Sequence, residues 1–232
     1  MAVAAIVIAG TVGTAINAIP QGGDTITYFN LMVPWTDRDG SLGEPTSIQC
    51  FTKQQFQQQL AIGANVIVSG NMKVVKPEGK SPYIRIDFSY GSVDLAGMAT
   101  SVNMVAIAGN IGQEPESRFT QNNKAMLKHS LAVKTGQDTT DWYNIIMWGK
   151  TAENGQKCLH KGGKVTVLGE LTQERWTNKE DGSPRSKFMI RGTQFALQGG
   201  NGNGNGNGNG NNQNAATQTA AAPAPDYSQD TF

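Results

Sequence analysis

The chain has 232 residues, 38% of them hydrophobic and 16% charged, with a formal net charge of +1 and two cysteines. That length allows one large domain or two small ones. The lone Cys50 and Cys158, without a C-x-x-C or a Cys/His cluster, exclude a disulfide scaffold or structural zinc site and suit a reduced, metal-free intracellular protein. The near-neutral sum hides an asymmetry: residues 1–97 carry 6 basic and 7 acidic side chains, residues 98–198 carry 13 and 9, and the remaining 34 carry two acids. A basic second half suits a polyanionic partner.

Taken in chain order, Met1–Ile16 is small and apolar and could pass for a secretory signal. No Lys or Arg precedes it, however, and the first charge is Asp24, whereas a signal begins with a basic segment. Gly10 and Gly13 interrupt the run, which is also shorter than a bilayer span, so no membrane association is expected. A repeat explains it better. Ile6-Val7-Ile8-Ala9-Gly10-Thr11-Val12-Gly13 returns 99 residues later as Val105-Ala106-Ile107-Ala108-Gly109-Asn110-Ile111-Gly112. Gly63-x-x-Val66-x-Val68-x-Gly70-x-Met72 returns, again 99 residues on, as Gly162-x-x-Val165-x-Val167-x-Gly169-x-Leu171. Leu31-x-Val33 matches Leu131-x-Val133, and Phe51-x-Lys53 matches Trp148-x-Lys150. The chain is a duplication, with a diverged copy over 1–97 and a second over 98–198.

In the second copy, strands are expected over Val102–Gly109, Met126–Val133, Trp142–Trp148, Lys164–Leu171 and Ser186–Ala196. Thr151–His160, between a Thr start and the Gly162 stop, reads as a short helix. Five short strands with one helix between the third and fourth is the OB-fold order, so the expected class is all-β, two tandem OB-fold barrels. A sandwich is the runner-up, but it needs about seven strands. From residue 199 the composition turns to Gly/Asn repeats and then an Asn/Gln/Ala/Thr/Pro stretch. With little apolar surface to bury, residues 199–232 are expected to be disordered. The end differs, joining Asp226 and Asp230 to Tyr227 and Phe232.

The informative side chains are three indoles. Period-2 alternation puts Trp142, Asn144, Ile146 and Trp148 on one face of their strand and Tyr143, Ile145 and Met147 on the core face. The two tryptophans then lie about 20 Å apart along the strand. Trp176 shares the parity of Glu170, Thr172 and Glu174. One tryptophan in a β-protein is more often core. Three on polar faces need a cover, and unpaired bases supply one, at roughly 1–3 kcal/mol per stacked base. Lys150, Lys161 and Arg175 interleave cations with these rings, as a phosphate backbone requires.

Trp142-Tyr143-Asn144-Ile145-Ile146-Met147-Trp148-Gly149-Lys150, then Leu159-x-Lys161-Gly162, then Val165-x-Val167-x-Gly169-x-Leu171-x-x-x-Arg175-Trp176 resemble the bacterial single-stranded DNA-binding protein family. The resemblance covers roughly residues 98–196 and includes the opening Val102–Glu116. It implies that Trp142, Trp148 and Trp176 stack on bases and that Lys150, Lys161 and Arg175 meet phosphates. It further implies roles in replication, recombination and repair, a bacterial cytoplasmic and nucleoid-associated location, and recruitment of replication and repair proteins through Asp226, Tyr227, Asp230 and Phe232. Four OB domains are usual in the family, which for two per chain implies a homodimer. Two departures stand out: Lys134–Thr140 lacks the aromatic often found there, and the tip is less acidic than is usual. In copy one, Pro45 and Pro77 stand for Trp142 and Trp176, Phe51 stands for Trp148, and Trp35 lies near the missing aromatic. Trp35 and Phe51 are therefore candidate stacking rings, and strand binding and assembly both remain open for that copy.

Two other classes match the sequence less well. Gly149-Lys150-Thr151 copies the end of a phosphate-binding loop, but its leading glycine would fall at Asn144. With no nucleophile–base set visible either, neither an enzyme nor a cofactor is expected. A protein-binding OB module, its rings forming a subunit interface, is the alternative function.

Overall fold

Twelve strands and one helix are built by the residues that the computed structural model describes, which are 3–36, 42–56, 58–78, 83–97, 101–179 and 182–198. In copy one the strands are β1 Val3–Val12, β2 Asn17–Gln21, β3 Asp24–Thr36, β4 Leu42–Thr52, β5 Asn65–Val75 and β6 Tyr83–Leu95. In copy two they are β7 Asn103–Ile111, β8 Glu116–Phe119, β9 Ala125–Lys134, β10 Thr140–Trp148, β11 Lys164–Thr177 and β12 Pro184–Leu197, with α1 at Gly149–Cys158. Both copies lie in one compact unit, Met1–Gly200. The Gly/Asn tail and its acidic–aromatic tip lie outside the described residues.

Each copy is an OB-type barrel of five strand courses, the first broken into two segments. β1 runs along β5 from Ala5 to Thr11 and then passes to β3, where Thr11 and Val12 face Met32 and Leu31. A parallel pair closes the barrel, Gln49–Phe51 of β4 against Arg85–Asp87 of β6. Copy two repeats this through β7, β11 and β9, closing with Ile145–Met147 against Ile190–Gly192. Alternation sets the core: in β9 every second residue from Ala125 to Val133 is buried. Each such Leu or Val stabilises the fold by roughly 1.5–3 kcal/mol.

The helix begins two residues earlier than its Thr start implied. Trp148 is still extended (φ −130°, ψ 153°) and serves as N-cap, and Gly149 takes φ +55° as the chain leaves the strand. Few residues other than glycine tolerate that backbone conformation, so the turn is tied to Gly149. Among the described residues, copy one has no helix between β4 and β5.

Antiparallel pairing of β1 with β7 makes one twelve-stranded sheet. Its register places Ile6 opposite Val105, the same residue in the two copies, and every other rung is equally balanced about that pair. An approximate twofold therefore relates the copies, as a self-complementary contact between two subunits would. Side chains reinforce the contact. The buried Tyr143 hydroxyl donates to the Met72 carbonyl (2.9 Å), and the Val74 N–H donates to Asp141 (3.2 Å).

Candidate nucleic-acid interface

β10 carries the centre of the candidate site. Tyr143, Ile145 and Met147 point into the barrel and are at most 3% exposed, while Trp142 on the opposite face is 44% exposed and Trp148 is half-buried. Trp176, near the end of β11, is 47% exposed. The indoles thus stand on the faces that alternation indicates. Trp142 lies against the backbone at Gly112, where an added Cβ would come within 2.1 Å of the ring. Gly112 is therefore a positioning residue, which the sequence pattern showed only as part of a strand motif.

The cations divide into two kinds. Lys150 and Lys161 are exposed, and the Lys161 backbone N–H is anchored on Glu114 (3.1 Å). Arg175 departs from expectation. Its guanidinium crosses to copy one, donating to the Glu44 carbonyl and to Thr46 Oγ1 (2.7 Å), and its Nε donates to Gln173 (3.0 Å). Thr46 in turn donates to Gln173. Arg175 thus ties the copies together rather than projecting beside Trp176 to meet a phosphate.

Sequence reasoning missed three basic residues. Lys124 Nζ lies 5.8 Å from the centre of the Trp148 ring, within cation–π reach. Lys128 pairs across with Ile146, and Arg191, ion-paired with Glu170, flanks Ile146 on its other side. Alternation along β9 puts Lys128 on the outer face, but the pairing of β9 with β10 was needed to put it beside the indoles.

Copy one presents a different outer face. Trp35 is 8% exposed and packs on Phe188 of copy two, ring centres 6.3 Å apart at 60°. An indole enclosed in this contact offers no face to a base, which corrects its assignment as a stacking ring. Phe51 is half-buried with Arg85 4.2 Å over its ring. Strand register also revises the correspondence between copies. Leu31 faces Ile48 as Leu131 faces Tyr143, so Ser47 occupies the place of Trp142, Lys53 that of Trp148, and Phe51 that of Ile146. Pro77 remains the counterpart of Trp176 in the repeat. Lys53 is 3.8 Å from Asp24.

Two buried titratable groups belong to the core. Burial pushes the Cys50 thiol far above its ordinary range, leaving it protonated. Burial does the same to the Tyr143 phenol, aided by nearby Asp141, which keeps its hydroxyl a donor to Met72. Cys50 and Cys158 are both free thiols. Among the described residues no group of three His, Cys, Asp or Glu could hold a metal, and no helix is long and apolar enough to cross a membrane.

Residues 102–198 match the model of the single-strand binding protein family. The chain is 32% identical over 103 residues to single-stranded DNA-binding protein 1 of Synechocystis sp., covering 43% of this chain and 85% of that protein. It is 30% identical over 190 residues to the single-stranded DNA-binding protein of Deinococcus radiodurans, covering 70% of this chain and 59% of that one. The fold is similar to the crystal structure of the wild-type single-stranded DNA-binding protein from Thermus aquaticus (TM-score 0.65, 18% identity), over 90% of this chain and 97% of that one.

Proposed function

The chain belongs to the single-strand binding protein family, and from that premise we propose that it binds single-stranded DNA without sequence preference, mainly through the outer face of copy two. The observation that carries this reading is the trio of Trp142, Trp148 and Trp176 on outward faces, with Lys124 over one ring and Lys150 and Lys161 exposed nearby. Stacking is indifferent to base identity, and scattered cations follow a flexible backbone. Among the described residues the single helix packs on β9 and β10, so none is presented to a duplex groove. The protein is non-enzymatic in this reading, and its setting is the protection of exposed strands during replication, recombination and repair in a bacterial cytoplasm. Partner recruitment falls to Asp226, Tyr227, Asp230 and Phe232, on the strength of the sequence resemblance.

A homodimer completes the reading. Val7, Met104 and Leu168 are 37%, 65% and 44% exposed on the outer face of the sheet where the copies join, with Ala5 and Ala106 among them in register. A small-residue, apolar sheet face of this kind favours a cover. A second chain would give four OB barrels and about 49 kDa, twice 24.7 kDa, and linked barrels make later contacts to one strand intramolecular.

The test is tryptophan fluorescence during titration with oligo(dT), with duplex DNA of equal length as comparison. Quenching by the single strand is expected, with a residual signal from the enclosed Trp35. Affinity should fall with salt by a slope of about −0.7 per phosphate contacted. Equal affinity for duplex would overturn the reading, and no response to oligo(dT) would favour a protein-binding module.

A further inference from the structure

The contact between the copies is filled at one end and open at the other. At the filled end Trp35 packs on Phe188. The rungs Val74–Ile84 and Gln173–Phe188 are equivalent under the repeat, so Ile84 is the counterpart of Phe188. The segment of copy two that corresponds to Trp35, around Thr135–Thr140, has no aromatic residue. Where the approximate twofold would place a ring against Ile84 there is instead a groove of about 250 Å³. Val74, Tyr83 and Ile84 of copy one line it together with Trp142, Trp176 and Lys187 of copy two.

We propose that this groove takes one unpaired nucleobase of a bound strand, and that Tyr83 is the residue on which the strand leaves copy two for copy one. The inference rests on the single-strand reading above and adds a subsite that the indoles alone do not define. At the filled end an indole occupies the equivalent position, so the contact accommodates a flat ring of that kind. The volume lies below the roughly 300–1,000 Å³ of pockets for drug-sized ligands, which suits one planar ring system. The walls are aromatic and aliphatic, with Tyr83 40% exposed. Lys187 supplies a cation at the edge, and a base carried on a phosphate backbone matches that combination. Tyr83 also starts the outer face of β6, ahead of Arg85, which pairs across with Lys73. A strand resting on Tyr83 is therefore led toward the cations of copy one.

The experiment uses the full chain and oligo(dT) of about 30 nucleotides, long enough to span two OB barrels at roughly 4–16 nucleotides each. Tyr83→Ala should weaken binding roughly 5- to 150-fold, the equivalent of about 1–3 kcal/mol per stacked base. Tyr83→Phe, which keeps the ring, should retain wild-type affinity. Irradiation of wild-type protein with 5-iodouracil-substituted oligonucleotide should yield an adduct on Tyr83, located by mass spectrometry, and this arm decides the matter if Tyr83→Ala fails to fold. Tight wild-type binding with no adduct at Tyr83 and no loss in a folded Tyr83→Ala variant would overturn the subsite alone. Absence of wild-type binding would instead overturn the single-strand reading on which it rests.

Discussion

The two copies have similar interiors and different exteriors. Ile6 and Val105, Leu31 and Leu131, and Met72 and Leu171 occupy equivalent positions, and each is at most 2% exposed. On the outer faces, Trp142, Trp148 and Trp176 of copy two stand where copy one has Ser47, Lys53 and Pro77. One barrel scaffold thus carries two surfaces, because strand pairing and core volume constrain only the inward residues. Copy one gives its large ring inward, placing Trp35 on Phe188, and accepts hydrogen bonds from Tyr143 and Arg175. Copy one braces and copy two presents.

The largest test of that division removes the rings of copy two together. Trp142→Ala, Trp148→Ala and Trp176→Ala combined should cost roughly 3–9 kcal/mol of binding if the stacks are independent. The melting temperature should change little, because two of the rings are almost half-exposed and the third lies on the outer face. Anisotropy of a labelled oligo(dT) measures the loss. Retention of near-wild-type affinity would move the main binding face to copy one.

The next test compares the cores. Leu31→Ala and Leu131→Ala each remove a fully buried side chain at equivalent positions and should each destabilise by about 2–5 kcal/mol. Because β1 pairs with β7 and Tyr143 reaches Met72, both changes are expected to shift one common calorimetric transition. Two transitions, one untouched by each variant, would mean that the barrels unfold independently.

How much of this was legible beforehand differs between the copies for a physical reason. Copy two follows local rules. Alternation in β10 sorted core from face, and Trp142 and Trp176 keep almost half of their surface exposed. In copy one the neighbours decide, and they come from far along the chain. Nothing near Trp35 indicates that Phe188 will cover it. Matching Phe51 to Trp148 looked sound by spacing, but β4 carries an extra residue where it pairs with Val33–Trp35 of β3, and the longer connection from β3 to β4 shifts the true match to Lys53. Arg175 was misread in the same way, since Glu44 and Thr46 lie about 130 residues away in sequence. Lys124 was missed because it belongs to a turn whose approach to Trp148 depends on the β8–β9 hairpin.

A smaller effect sharpens the bracing role. Tyr143→Phe removes the hydroxyl that donates to the Met72 carbonyl and leaves a buried acceptor unpaired, at a cost of about 1–3 kcal/mol. Copy two does not need the equivalent bond, since the Asn103 side chain satisfies Leu171 by donating to its carbonyl (2.8 Å) and accepting from its N–H (3.0 Å). Chemical denaturation should show the loss in Tyr143→Phe. No loss would mean that water reaches Met72 once the hydroxyl is gone.

The smallest expected effect concerns one core position where the copies differ. His129 is 3% exposed, and neither ring nitrogen has a partner at normal hydrogen-bond geometry among the described residues. The equivalent residue in copy one is Phe29, fully buried and packed on Phe88 with ring centres 6.0 Å apart. Burial lowers the pKa of His129 below its ordinary value of 6.5, opposed weakly by the Ser130 backbone. The sign then follows from linkage. Above pH 6.5 the imidazole is neutral in both folded and unfolded chains, and its titration does not affect stability. As the pH falls below 6.5 the unfolded chain takes up the proton first, so stability declines until the folded value is passed. His129→Phe removes this proton uptake together with an unsatisfied buried polar group, and should raise stability by about 1 kcal/mol. Melting temperatures of wild type and variant between pH 7.5 and 5.5 measure the difference, because carboxylate titrations common to both cancel. The wild type should fall more steeply below pH 6.5. Parallel curves would show that His129 titrates alike in both states, and a less stable variant would show that the second barrel, unlike the first, has no room for a phenyl ring.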